Sequence, residues 1–169
     1  VILVGSYSYM VYTIAYRPLN NRKEAETIAQ YAFLKAYQSL KKFRKESKFS
    51  TWIYRIVYNM AVSQLRKNKR QVNTVNAQNK EVDIEDTQNR MDKLEVQDRK
   101  HFINRAITTL NYEEQTLITL FYQNDKSIEE ISDITNLTRS NVKVKLYRAR
   151  QKLYDTLNAL LKQEINILR

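Results

Sequence analysis

A chain of 169 residues with 29 Lys/Arg, 18 Asp/Glu and one histidine carries a formal charge of +11, a balance that points to a polyanionic partner. One glycine (Gly5), one proline (Pro18) and no cysteine argue against hairpins and tight strand connections, and remove disulfides, thiolate metal sites and cysteine nucleophiles. With His101 as the only histidine, most zinc and catalytic-triad chemistry is also closed, so the composition predicts an all-α protein that is not an enzyme and holds neither metal nor cofactor.

Along the chain, the apolar stretch from Val1 to Tyr16 is broken by Ser6, Ser8 and the tyrosines Tyr7, Tyr9, Tyr12 and Tyr16. It lacks a preceding basic run and a small-residue cleavage site, so it reads as a buried helix rather than a targeting segment or a membrane span. Pro18 is expected to stop or kink that helix. From Glu24 to Phe43, Ala25, Ile28, Ala29, Ala32, Phe33, Ala36, Leu40 and Phe43 recur at three and four residues, the period of an amphipathic helix. A basic loop, Lys41 to Lys48, precedes a helix expected to be capped by Ser50 or Thr51 and to bury Ile53, Ile56, Val57, Met60, Ala61 and Leu65. Arg66, Lys67, Lys69 and Arg70 suit its negative C-terminal end.

Charge is unevenly spread. Residues 1–70 hold 14 Lys/Arg against 3 Asp/Glu, too lopsided for charges interspersed merely for solubility. Residues 71–100 are rich in Asn and Gln and poor in apolar residues, and contain the acidic group Asp83, Glu85 and Asp86. Such a segment buries too little to offset its ordering entropy and is expected to be a flexible linker, turning helical near Met91 to Val96. Three parts are therefore expected: a helical domain over 1–70, a linker over 71–100 and a second helical domain over 101–169.

In the last part, Phe102, Ile103, Ala106, Ile107 and Leu110 form one helix face, and Leu117, Ile118, Phe121 and Tyr122 another. After a turn at Asn124 and Asp125, Ser127-Ile-Glu-Glu130 has the form of a capping box, opening a short helix that buries Ile128, Ile131 and Ile134. Asn136 suits a left-handed turn, Leu137 can plug the core, and Thr138 can cap a longer helix burying Val142, Leu146, Ala149 and Leu153. This is the layout of a helix-turn-helix. Ser140, Lys143, Tyr147, Arg148 and Gln151 lie off the buried stripe, where a helix in the major groove meets base edges, and Ser140 and Asn141 sit where backbone N–H groups can hold a phosphate.

In the first part, Lys48, Phe49, Ser50, Thr51, Trp52, Tyr54, Arg55, Tyr58 and Asn59 interleave cations with aromatics, the pattern that grips single-stranded nucleic acid. Phe49 and Trp52 serve equally well as core residues; Tyr54, Arg55, Tyr58 and Asn59 cannot all point inward.

These segments resemble a known family. The run from Glu24 to Tyr37, the run Phe49-Ser-Thr-Trp-Ile-Tyr-Arg-Ile-Val-Tyr-Asn59, and Ser127-Ile-Glu-Glu-Ile131 through Val142 to Leu153 are similar to signatures of the extracytoplasmic-function (ECF) sigma factors, which keep only the second and fourth sigma regions. The resemblance spans nearly the whole chain. It implies docking on the β′ clamp helices and the β flap of bacterial RNA polymerase core, the former through Glu24, Glu26, Thr27 and Gln30. It implies that Lys48, Phe49, Ser50, Trp52, Tyr54, Arg55, Tyr58 and Asn59 hold the melted non-template strand of the downstream promoter element, with Asn59 the best base reader. Lys143, Tyr147 and Arg148 would read the upstream element while Thr138, Ser140 and Asn141 position its backbone. An anti-sigma factor is a further implied partner, which could hold the protein at the membrane, and the location implied is cytoplasmic, with no membrane insertion and no small-molecule substrate. Thr27 and Tyr31 stand where the family usually has acidic residues, and Asn136 where it has glycine. Two rivals remain at this point: a stand-alone helix-turn-helix regulator, and a basic RNA-binding or scaffold protein.

Overall fold

The structure, a computed structural model, describes the backbone of residues 2–72 and 102–167 and the side chains of 5–71 and 102–162. The linker and the short helix expected near Met91 therefore fall, apart from Gln71 and Val72, outside the described residues. Those residues are helices and turns, with no strand among them.

Helix α1 (Ile2–Leu19) buries Met10, Val11, Ile14, Ala15 and Leu19. Pro18 lies in its last turn, where it cannot donate to a carbonyl one turn back, and the helix ends one residue later, with Asn20 taking the left-handed conformation. The Asn21 side chain then accepts from the Glu24 backbone N–H (3.1 Å) and caps α2 (Arg22–Ser39). The buried face of α2 consists of Ala25, Ala29, Ala32 and Ala36. Such small side chains let it approach α1 and α3 closely. The helix expected to run to Phe43 instead ends at Ser39 and tightens into a 3₁₀ turn, Leu40–Lys42, a common way to finish a helix. Helix α3 (Phe49–Val72) starts earlier than expected. Ser50 and Thr51 thus lie inside its first turn rather than capping it, and their hydroxyls are used elsewhere.

Residues 102–108 form α4, which buries Ala106 and Ile107, but Ile103, expected on the same face, is largely exposed. Asn111 and Glu114 make a reciprocal capping box at the start of α5 (Tyr112–Ile118), which widens into a π turn, Thr119–Gln123. The left-handed Asp125 closes the turn before α6 (Ile128–Thr135). Ser127 and Glu130 form the second capping box, and Asn136 is left-handed with φ 58°. Thr138 caps α7 (Arg139–Ile167) by accepting from the Asn141 N–H at 3.3 Å. Val142, Leu146 and Ala149 are fully buried, and Leu137 and Leu153 pack against the core. Each buried Val- or Leu-sized side chain contributes about 1.5–3 kcal/mol relative to exposure.

The two helical groups touch. α3 packs on α6 and α1 on α5, and buried residues from Met10 to Ala149 belong to one continuous cluster. No helix among the described residues is long and apolar enough to cross a membrane.

Candidate nucleic-acid interface

The helix-turn-helix is α6, the turn at Asn136 and Leu137, and α7. With Val142, Leu146 and Ala149 turned inward, the 3.6-residue period turns Ser140, Asn141, Lys143, Tyr147, Arg148 and Gln151 outward, and all six are exposed. The cations of α7 differ in what they contact. Lys145 is bound to Glu113 and Lys152 to Glu114, each at 2.6 Å, and Arg150 lies over the rings of Phe121 (5.7 Å) and Tyr122 (5.9 Å). Those three fasten α7 to α5 and the turn after it, and Arg139 pairs with Glu129 of α6 at 3.8 Å, whereas Lys143, Arg148 and Lys162 are exposed with no ion pair among the described residues. Because the Thr138 hydroxyl takes the Asn141 N–H, an anion at this helix start would meet the N–H groups of Arg139 and Ser140, one position earlier than the sequence suggested.

The first-half residues separate by helix face. Arg55 and Asn59 point outward, whereas Tyr54 and Tyr58 are buried together with Ile53, Val57 and Ala61. The expectation that both tyrosines grip a strand is corrected in this arrangement, because their three- and four-residue spacing from Val57 and Ala61 puts them on the core face. Tyr54 meets Tyr7 edge-on at 6.2 Å, and the Lys126 ammonium lies 5.5 Å from its ring centre. Burial, reinforced by the nearby Glu113 and Tyr112, pushes the Tyr58 hydroxyl well above the ordinary tyrosine range.

Phe49 and Trp52 are half-buried in a ring cluster: Phe43 lies 4.9 Å from Trp52, Phe49 5.6 Å from Trp52, and Tyr7 5.6 Å from Phe49. Both residues are thus partly core and partly open to solvent.

Three of the expected strand-holding residues contact the second half directly. The Lys48 ammonium is 3.3 Å from Glu130, the Lys126 ammonium donates to the Ser50 hydroxyl at 2.6 Å, and the Asn136 side-chain amide donates to the Asn59 side chain at 3.1 Å. The Thr51 hydroxyl also donates to Glu130 at 3.1 Å. Sequence reasoning missed Lys126 and Glu130 as contact residues, since no local pattern marks a charge that pairs across 76 or more positions.

On α2, Glu26, Thr27 and Gln30 are exposed. Glu26 pairs with Arg22 at 3.0 Å, whereas Glu24 accepts from the Asn68 side chain at 2.7 Å and ties α2 to α3. Tyr31, Leu34 and Tyr37 extend the exposed face, Tyr37 to 79% exposure. The sequence reading noted Tyr31 only as a departure from the family's acidic residue and did not extend the outward face to Leu34 and Tyr37.

The described residues thus combine a cationic, aromatic helix, α3, with a helix-turn-helix made by α6 and α7. Comparison with known proteins gives the family. The family described as Sigma-70 region 2 matches residues 3–71, and Sigma-70, region 4 matches residues 101–153. The ECF RNA polymerase sigma factor SigW of Bacillus subtilis is 32% identical over 165 residues, covering 94% of this chain and 88% of that protein. The RNA polymerase sigma-H factor of Pseudomonas aeruginosa is 30% identical, with 96% and 88% covered. The solved sigma factor RpoE of Bartonella quintana, in complex with the anti-sigma factor NepR, has the same fold, with a TM-score of 0.76 at 22% identity over 92% of this chain and 94% of that one. The chain belongs to the ECF sigma factors, non-catalytic proteins of transcription initiation.

Proposed function

We propose that this sigma factor divides promoter recognition between its two halves, residues 1–70 and 101–169, joined by residues 71–100. The first half docks on the β′ clamp helices of RNA polymerase core through α2, with Glu26, Thr27 and Gln30 as polar contacts, Tyr31, Leu34 and Tyr37 as the apolar part, and Glu24 holding the helix in place. Lys48, Phe49, Ser50, Trp52, Arg55 and Asn59 hold the melted non-template strand of the downstream element: the cations meet phosphates, exposed ring edges stack on bases, and Asn59 reads a base edge. Tyr54 and Tyr58 position α3 beneath them.

The second half contacts the β flap and reads the upstream element. Lys143, Tyr147 and Arg148 enter the major groove, and Thr138, Ser140 and Asn141 set the register on the phosphate backbone. One observation carries this reading: on α7 the apolar face is sealed while Lys143 and Arg148 on the outward face have no ion pair among the described residues. The site of action is the cytoplasm, and an anti-sigma factor is the expected antagonist, as the solved relative bound to one suggests by analogy.

Transcription from a promoter library with purified core polymerase tests the proposal. Promoter-specific transcripts are expected only when the chain is added, and the enriched templates should share two separated elements. Transcripts that do not depend on the chain, or that share a single element, would overturn it.

A further inference from the structure

The outward face of α7 has an apolar residue at its centre. Val144 stands two residues from each of the buried Val142 and Leu146, and two residues turn a helix by about 200°, so it lies opposite the sealed stripe. Ser140 precedes it by one turn, Tyr147 and Arg148 follow it by one turn and Gln151 by two, and all four are exposed. At 46% exposure, Val144 is the one exposed aliphatic side chain between Arg139 and Gln151. It belongs neither to the core cluster nor to the side chains packed against it. A lone exposed apolar residue is ordinary on a protein surface. Here, however, it is ringed by polar residues, and a β-branched side chain is a poor choice for an open helix position, where it loses rotamer freedom and gains no burial.

The chemistry of the major groove supplies a partner. Base edges there present polar donors and acceptors, and the C5 methyl of thymine is their one apolar group. Valine has no donor or acceptor, so against a polar edge it removes water and returns no hydrogen bond. Against a methyl group it loses nothing and buries apolar surface.

We propose that Val144 reads the C5 methyl of a thymine in the upstream element. The proposal deepens the assignment of α7 to the major groove in the preceding subsection and rests on it. Arg148 stands one turn further along the helix, where its guanidinium can meet a guanine edge. Four residues rise about 6 Å and base pairs lie about 3.4 Å apart, so the thymine falls about one to two base pairs from the pair that Arg148 reads. Cytosine lacks the methyl and is rejected by loss of this contact, a discrimination of about fourfold for one methyl-sized group taken from water.

The test uses the full chain bound to core polymerase, on a promoter that it transcribes, with each upstream-element thymine replaced singly by deoxyuridine, which removes only the methyl. The parent should lose about fourfold in affinity at one thymine. Val144→Ala, an exposed change that favours the helix, should keep the thermal midpoint of the parent. It should bind the unmodified promoter about fourfold more weakly and lose nothing further at that deoxyuridine. With cytosine at the same pair, 5-methylcytosine should recover about fourfold for the parent and nothing for the variant, which separates the methyl from the rest of the thymine edge. A deoxyuridine penalty at no position, or one that persists in Val144→Ala, overturns the inference, as does a 5-methylcytosine that brings no gain. Arg148→Ala then tells which claim has failed. If it still relaxes base choice in the upstream element, α7 reads the groove and only the role of Val144 falls. If neither Arg148→Ala nor Lys143→Ala changes binding to any upstream sequence, the major-groove assignment itself fails.

Discussion

Lys143 and Arg148 are set apart from their neighbours by what they lack. Lys145 and Lys152 hold carboxylates at 2.6 Å and are occupied with fastening α7, so removing them costs structure first. Lys143→Ala or Arg148→Ala should leave the thermal midpoint within about 2 °C, as expected for an exposed change worth less than about 0.5 kcal/mol. Each should weaken binding to upstream-element duplex by about 1–3 kcal/mol and relax base choice at one position, which a binding titration across single-base variants measures. Glu130 makes a second prediction at this scale. Burial pushes its carboxyl up, but the Ser127 N–H, Lys126, Lys48 and the Thr51 hydroxyl outweigh this, and its pKa lies below the ordinary glutamate value. A group depressed in the folded state contributes stability that is whole above its unfolded pKa and is lost as pH falls through the folded one. Acid titration of the parent should therefore show a loss of stability below the normal glutamate range that Glu130→Gln lacks, read by chemical denaturation at successive pH values. The outward residues of α7 were legible in the sequence because one period decides both faces of a helix. Tyr54 and Tyr58 were not: an aromatic beside a cation suits a core and a nucleic-acid surface alike, and only the packing partners, Tyr7 and Lys126 among them, decide.

The elements are punctuated by local chemistry, which is why most of them could be placed in advance. Ser127 and Glu130, Asn136, Thr138 and Pro18 each act within four residues of themselves, and each does in the structure what its type requires. Ser127→Ala should cost about 1 kcal/mol by removing the α6 cap, measured by urea denaturation. At position 136, Asn136→Val should cost about 1–3 kcal/mol, because a β-branched residue resists a φ of 58°, while Asn136→Gly should be nearly neutral for the turn itself. The boundaries went astray where tertiary contact rules. Ser50 and Thr51 have the chemistry of caps, but their hydroxyls meet Lys126 and Glu130 across the chain, and α3 begins a step earlier. The stop of α2 at Ser39 and the π turn after α5 likewise answer to packing that no window of sequence contains. Leu146, buried without exposure on α7, sets the scale of that packing: Leu146→Ala should cost about 2–5 kcal/mol.

At the scale of the molecule, charge and helicity were legible in the sequence, but the embrace of the halves was not. The excess of cations in residues 1–70 is plain in the sequence, yet nothing in it tells that Lys48 meets Glu130 and Asn59 meets Asn136 across the two halves. The proposed function gives the two helices separate steps, α7 on duplex and α3 on an opened strand. Fluorescence of 2-aminopurine placed in the downstream element, recorded with polymerase holoenzyme alongside upstream-duplex binding, separates those steps most directly. Arg148→Ala should weaken upstream binding while strand opening, once bound, proceeds as in the parent. Asn59→Ala should leave upstream binding intact and lower the opened fraction. If both variants impair the same step, or Asn59→Ala leaves opening untouched, the division of labour between the two helices is contradicted.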